Sequence, residues 1–176
     1  MARQTGEAAI GFRIFFLYIE PFFSFLGAYA AFFQPEMYLR LTHGPTAPKY
    51  GIPTSTQVIL NQLANLYLYF SINEALILRA TSDLRVWRTL VIVLLIADFG
   101  HLYSIHPIGT KIYWDVGNWN ALDWGNLGFV YLGALTRISF LLYPKGFPTR
   151  LRSWRKSPST PRRSTRRIKP TPKAKE

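Results

Sequence analysis

Apolar residues gather in four long blocks, roughly Phe12 to Phe33, Gln57 to Ala80, Val86 to Ile105 and Leu122 to Tyr143, without a clear amphipathic period. Each block is close to the ~20 residues that a helix needs to cross the hydrocarbon core. The pattern predicts an all-α fold: an integral membrane four-helix bundle with an intramembrane polar cavity. The first block could pass for a signal sequence, but Glu20 and Pro21 within it argue against that. Between blocks one and two, the stretch from Gln34 to Thr56 is rich in Pro and Gly and predicts an ordered cap or an irregular excursion. The loop HPIGTKIYWDVGNWNALDW brings Trp114, Trp119 and Trp124 to a block boundary, where tryptophan forms an interfacial belt or lines a ligand cavity.

Charged residues inside these blocks stand out against that background. Glu20, Glu74 and Asp98 lie in the first three and Arg137 in the fourth. A carboxylate near the bilayer centre costs at least ~2.5 kcal/mol, so such groups face a bundle interior, a cavity or a partner. A rise of ~1.5 Å per residue puts Glu20 ~12 Å and Asp98 ~15 to 18 Å from the cytosolic ends of their blocks, with Glu74 at ~7 to 10 Å and Arg137 at a similar depth. The four can therefore converge. Arg137 is the natural partner of Glu74 or Glu20, since an unpaired guanidinium would be as unfavourable as an unpaired carboxylate.

Neighbouring side chains separate the carboxylates further. Asp98 and His101 are three residues apart on one helical face, a spacing suited to proton handling with the acid as donor and the imidazole as acceptor. Helix packing is the plainer use of the same pair. Pro21 removes one backbone hydrogen bond and exposes the carbonyl of residue 17 beside Glu20. Phe15, Phe16, Tyr18, Phe22, Phe23 and Phe25 surround that acid in sequence, either as an aromatic pocket or as packing and lipid-facing residues. On the second block Asn61, Asn65 and Asn73 predict interhelical amide bonds or contacts to a polar ligand group. The candidate catalytic set is Asp98, His101, Glu20 and Glu74. Asn65, Asn73, Tyr69, Trp124 and Arg137 are the candidate substrate contacts.

Net charge changes the picture once it is located. Of the 21 Lys and Arg residues, twelve lie from Lys145 to Lys175, which leaves the first 144 residues with nine basic and eight acidic side chains. The division predicts a membrane domain over 1–144 and a disordered basic cytosolic tail over 145–176, suited to anionic lipid surfaces or topology control rather than nucleic acid. Basic residues near block ends favour one side by seventeen to three, which predicts cytosolic termini. The chain has no cysteine, so thiolate metal sites, disulfides and cysteine nucleophiles are excluded. Three histidines without HExxH spacing point to no metal, and no nucleotide or redox-cofactor motif is present.

What remains is acid and base chemistry in an apolar, aromatic setting. It suits protonation of a lipid alkene or epoxide, stabilisation of the carbocation over aromatic faces and removal of a proton elsewhere. Four blocks with an acid in each of the first three, cytosolic ends and a basic C-terminal region resemble the EXPERA group, which includes the emopamil-binding sterol isomerase and the sigma-2 receptor. More narrowly, FLYIEPFFSFLGAYAAFF, QPEMYL, INEALIL and ADFGHLYS resemble a small fungal membrane-protein family that includes meroterpenoid terpene cyclases. The resemblance covers about residues 12–143. It implies an endoplasmic-reticulum cyclase of a farnesyl-type substrate, with Asp98 as proton donor, His101 assisting it, Glu20 orienting the donor or stabilising the cation and Glu74 as final base. A sterol isomerase or a non-catalytic sterol or lipid receptor is the alternative. No cofactor is implied. The partners expected are a prenylated aromatic, terpenoid or sterol, membrane lipids and, as an option, a second copy of the chain. Arg137 departs from the group's pattern, and its pairing decides which acids are free for chemistry.

Overall fold

A computed structural model describes residues 8–145, and all regular structure among them is helical. The sequence explains where the helices start and stop. Helix α1 runs Ile10–Phe33 and ends at Gln34, whose backbone leaves the helical region (φ −131°, ψ 51°) just before Pro35 opens helix α2, Pro35–His43. The predicted cap after the first block is thus partly an ordered helix. Pro53 precedes helix α3, Thr54–Ala80, and Asp83 caps helix α4, Leu84–Ser104, by accepting from the Arg85 backbone N–H at 2.9 Å. Short 3-10 turns lead to helix α5, Ala121–Leu142. Its start is a capping box: the Asn120 side chain accepts from the Leu122 and Asp123 N–H groups, and Asp123 accepts from the Asn120 N–H at 3.0 Å.

Three helical stretches, Ile10–Phe33, Leu84–Ile108 and Ala121–Leu142, are long and apolar enough to cross a membrane, the make-up of an integral membrane protein. Their outward surfaces fit that setting. Phe22, Phe23, Phe25, Ile96, Phe99 and Leu135 are all exposed on the isolated chain. Helix α3 is longer, at 27 residues, but carries more polar side chains, among them Gln57, Asn61, Gln62, Asn65 and Asn73.

Helices α1 and α3 pack antiparallel, and the register can be read from individual contacts. Arg79 Nη2 donates to the Leu17 carbonyl at 3.1 Å and Ser71 Oγ to the Pro21 carbonyl at 2.7 Å. Further along, a Cβ at Gly27 would lie 3.3 Å from the Tyr67 ring, and Ala31 is buried with Leu60 and Ala64. Small residues thus admit the close approach that helix association in lipid favours. At the other end of α1, Phe16, Trp87, Leu78 and Phe140 join all four long helices in an aromatic core, with the Phe16 and Phe140 rings 5.8 Å apart. The Ala9 N–H donates to the Pro144 carbonyl at 3.0 Å, so the start of α1 and the end of α5 lie at the same end of the fold. Apart from Lys145, the basic tail predicted for 145–176 lies outside the described residues.

Candidate functional site

Two π-turns interrupt otherwise α-helical segments, Phe15–Ile19 in α1 and Trp124–Phe129 in α5. Such turns relax the usual i→i+4 hydrogen bonding and recur at functional sites. In this fold each contains a residue whose backbone is contacted by a side chain from another helix. The Leu17 carbonyl, which has lost its donor to Pro21, takes the Arg79 guanidinium, and the Asn126 backbone takes the His101 imidazole. Arg79 also lies over the Tyr18 ring, 4.8 Å from its centroid.

The residue after the first π-turn is Glu20. Its carboxylate accepts a hydrogen bond from Arg137 Nη2, while Arg137 Nη1 donates to Asp98 Oδ2 at 2.6 Å. One guanidinium thus bridges acids from two other helices, with its own side chain only 3% exposed. Glu74 is buried at 3% exposure, and its carboxyl lies beside that of Glu20. Glu20 Oε2 and Glu74 Oε1 are buried without a hydrogen-bond partner. Gly133 makes room for the bridge, since a Cβ there would stand 2.7 Å from Arg137 Nη1.

These positions sharpen the assignments made from sequence. Glu20, Glu74, Asp98 and Arg137 do come together, but Arg137 pairs with Glu20 and Asp98 rather than with Glu74. Depth along a helix sets the level of a side chain and leaves its direction around the axis open. Asp98 is committed to Arg137, and among the described residues no hydrogen bond joins it to His101. Around Glu20, Phe15 and Phe16 pack into the core while Tyr18, Phe22, Phe23 and Phe25 face outward, so the aromatic residues do not enclose the acid in a pocket. Asn65 and Tyr69 line a shallow groove formed by α3 alone, on its outer surface. Trp124 is half exposed and packs edge-on against Trp119, whose indole N–H donates to the Ile112 carbonyl at 2.7 Å. Asn73 is half buried.

Sequence reasoning expected an intramembrane polar cavity without placing this one. It lies at the α2 end of the fold, measures about 540 Å³ and is lined by Tyr38, Thr42, Tyr67, His101, Ser104 and Asn126 among others. Tyr38 Oη and Tyr67 Oη are 3.3 Å apart, and Asn126 hydrogen-bonds Tyr38 through its side chain. Burial pushes the Tyr38 phenol above its ordinary value, against the opposing hydrogen bonds from Tyr67 and Asn126, so it stays protonated at neutral pH. His101 Nε2 is buried and has no protein partner. Because α2 falls within a stretch rich in Pro and Gly, only the pairing of Tyr38 with a residue 29 positions away reveals its part in the cavity.

The site has one well-packed charged part and one open polar part. They meet on α4, where Asp98 and His101 are three residues apart on one face. No curated protein and no solved structure matches the chain. The family described as "Domain of unknown function (DUF7704)" matches residues 9–146, and the chain belongs to it.

Proposed function

We propose that this protein is a four-span membrane enzyme that uses proton transfer, without a cofactor, to cyclise a prenylated, farnesyl-type alkene or epoxide. The observation that carries the reading is the gathering of Glu20 and Asp98 on the Arg137 guanidinium with Glu74 beside Glu20, Asp98 being one helical turn from a histidine that lines a cavity. Three carboxyl groups beside one guanidinium leave the cluster short of positive charge. Such a cluster can hold and release a proton in a low-dielectric setting.

In this mechanism the substrate occupies the cavity with its reactive double bond or epoxide facing α4. A proton held by the carboxyl cluster passes from Asp98 to the substrate and opens the epoxide or adds to the alkene, and the π electrons of a neighbouring double bond of the same chain attack the cationic carbon to form the ring C–C bond. Loss of a proton from a neighbouring carbon, returned to the protein, closes the cycle with no change of oxidation state. Glu20 and Arg137 hold Asp98 in position.

Parity supports the fourth span. Three crossings would leave the two ends on opposite sides, whereas Ala9 is hydrogen-bonded to Pro144. A crossing by α3, antiparallel to α1, makes the number even. The charge bias near the span ends supports cytosolic termini, and the resemblance to the EXPERA group and to fungal cyclases supports an endoplasmic-reticulum location by analogy. A second reading, a sterol or lipid receptor, is favoured by the closed ion pairs that Arg137 makes with both Glu20 and Asp98.

The test is to express the full chain in a membrane host and supply farnesylated phenols and their terminal epoxides. The enzyme reading expects a cyclised isomer of unchanged mass. Absence of any isomer across these substrates, with the chain inserted and stable, would leave the receptor reading.

A further inference from the structure

The cavity at the α2 end carries more information than its volume. Its wall brings together three elements that are far apart in sequence: Tyr38 on α2, Tyr67 on α3 and Asn126 in the π-turn of α5. Asn126 ties the wall together, with its side chain on Tyr38 and its backbone on His101. Nε2 of His101 is buried without a protein partner, beside a roomy cavity that the Tyr38, Tyr67, Thr42 and Ser104 side chains also line. A ring nitrogen left unpaired there is unfavourable, and when it carries no proton a ligand O–H would satisfy it.

We propose that this cavity is a recognition site for the hydroxyl end of a lipophilic molecule, with His101 Nε2 accepting its hydrogen bond and the Tyr38 and Tyr67 phenols supporting its oxygen. The inference rests on the reading that the membrane domain takes a lipophilic ligand, and it names the chemical feature that the domain selects. A site built around an acceptor discriminates against a ligand that lacks the donor, since the buried nitrogen then goes unpaired. The hydroxyl end sits among Tyr38, Thr42 and Ser104, and the apolar remainder extends along α3 and α4.

Binding can be measured without turnover. The full chain in detergent or nanodiscs is titrated with radiolabelled 4-farnesylphenol and with its methyl ether, which has the same skeleton and no donor. The phenol should bind saturably and the ether about tenfold or more weakly. His101→Leu should remove the discrimination by weakening phenol binding alone. Tyr67→Phe offers a milder variant with the same direction of effect should His101→Leu fail to fold. Tyr50→Phe, at a residue 96% exposed in the loop before α3, should leave both affinities unchanged. Equal affinity for phenol and ether, no saturable phenol binding, or discrimination that survives both His101→Leu and Tyr67→Phe overturns the proposal. Cyclised product formed equally from phenol and ether would also overturn it while leaving the cyclase intact, whereas selective binding without product supports the site and removes the cyclase.

Discussion

Arg137 Nη1 donates to Asp98 Oδ2 at 2.6 Å, joining α5 to α4 in the interior of the fold, and the other arm of the same guanidinium reaches Glu20 on α1. Removing the base leaves buried acids without a counter-charge. Arg137→Leu is expected to destabilise the folded chain by about 3 to 5 kcal/mol, and Arg137→Lys by less, because lysine keeps the charge but not the two-armed geometry. Thermal unfolding in detergent measures both. Equal stability of Arg137→Leu and the unaltered chain would mean that the pairs contribute nothing.

A methyl group can disturb the same bridge from a distance. Gly133→Ala places its Cβ 2.7 Å from Arg137 Nη1, the atom that serves Asp98, so either the guanidinium or the helix must shift. A loss of about 1 to 3 kcal/mol is expected. Gly11→Ala has open space at its Cβ and should have no such effect, so the difference between the two in thermal unfolding isolates the crowding.

The contacts between α1 and α3 make a narrower prediction. Ser71 Oγ is the donor to the Pro21 carbonyl at 2.7 Å in a buried setting, and Ser71→Ala should cost about 1 kcal/mol in the same assay. No change would indicate that the carbonyl has found another donor.

Because the chain lacks cysteine, its topology can be read with single introduced thiols. Four crossings predict that Tyr50→Cys and Ser82→Cys label with an impermeant maleimide from opposite sides of a sealed vesicle. Ser82→Cys should react from the same side as a thiol at Ala9. Labelling of Tyr50→Cys and Ser82→Cys from one side would mean that α3 does not cross.

Much of this arrangement could be read from composition along the chain, because helices in lipid announce themselves by length and apolarity. The depth rule also put Glu20, Glu74, Asp98 and Arg137 at compatible levels. Their pairing was not legible: whether Arg137 turns to Glu74 or to Asp98 depends on rotation about each helix axis, which two π-turns reset in α1 and α5. Pro21 did signal a free carbonyl at Leu17, and Arg79 takes it. The cavity had no comparable signal. Tyr38 and Tyr67 look like ordinary aromatics until α2 folds back over the ends of α3 and α4, and the place of His101 beside Asn126 in the cavity wall emerges only from the fold.

In the proposed mechanism the carboxyl cluster supplies the proton for reaction in the membrane. Asp98→Asn keeps the size of the side chain and can still accept from Arg137, but it cannot deliver a proton to the substrate. Activity should be measured in membranes supplied with a farnesylated phenol epoxide, with protein level and thermal unfolding followed in parallel. The account predicts a fall in cyclised product of at least about 100-fold at normal accumulation, in keeping with loss of a general acid. Undiminished product from Asp98→Asn would contradict it.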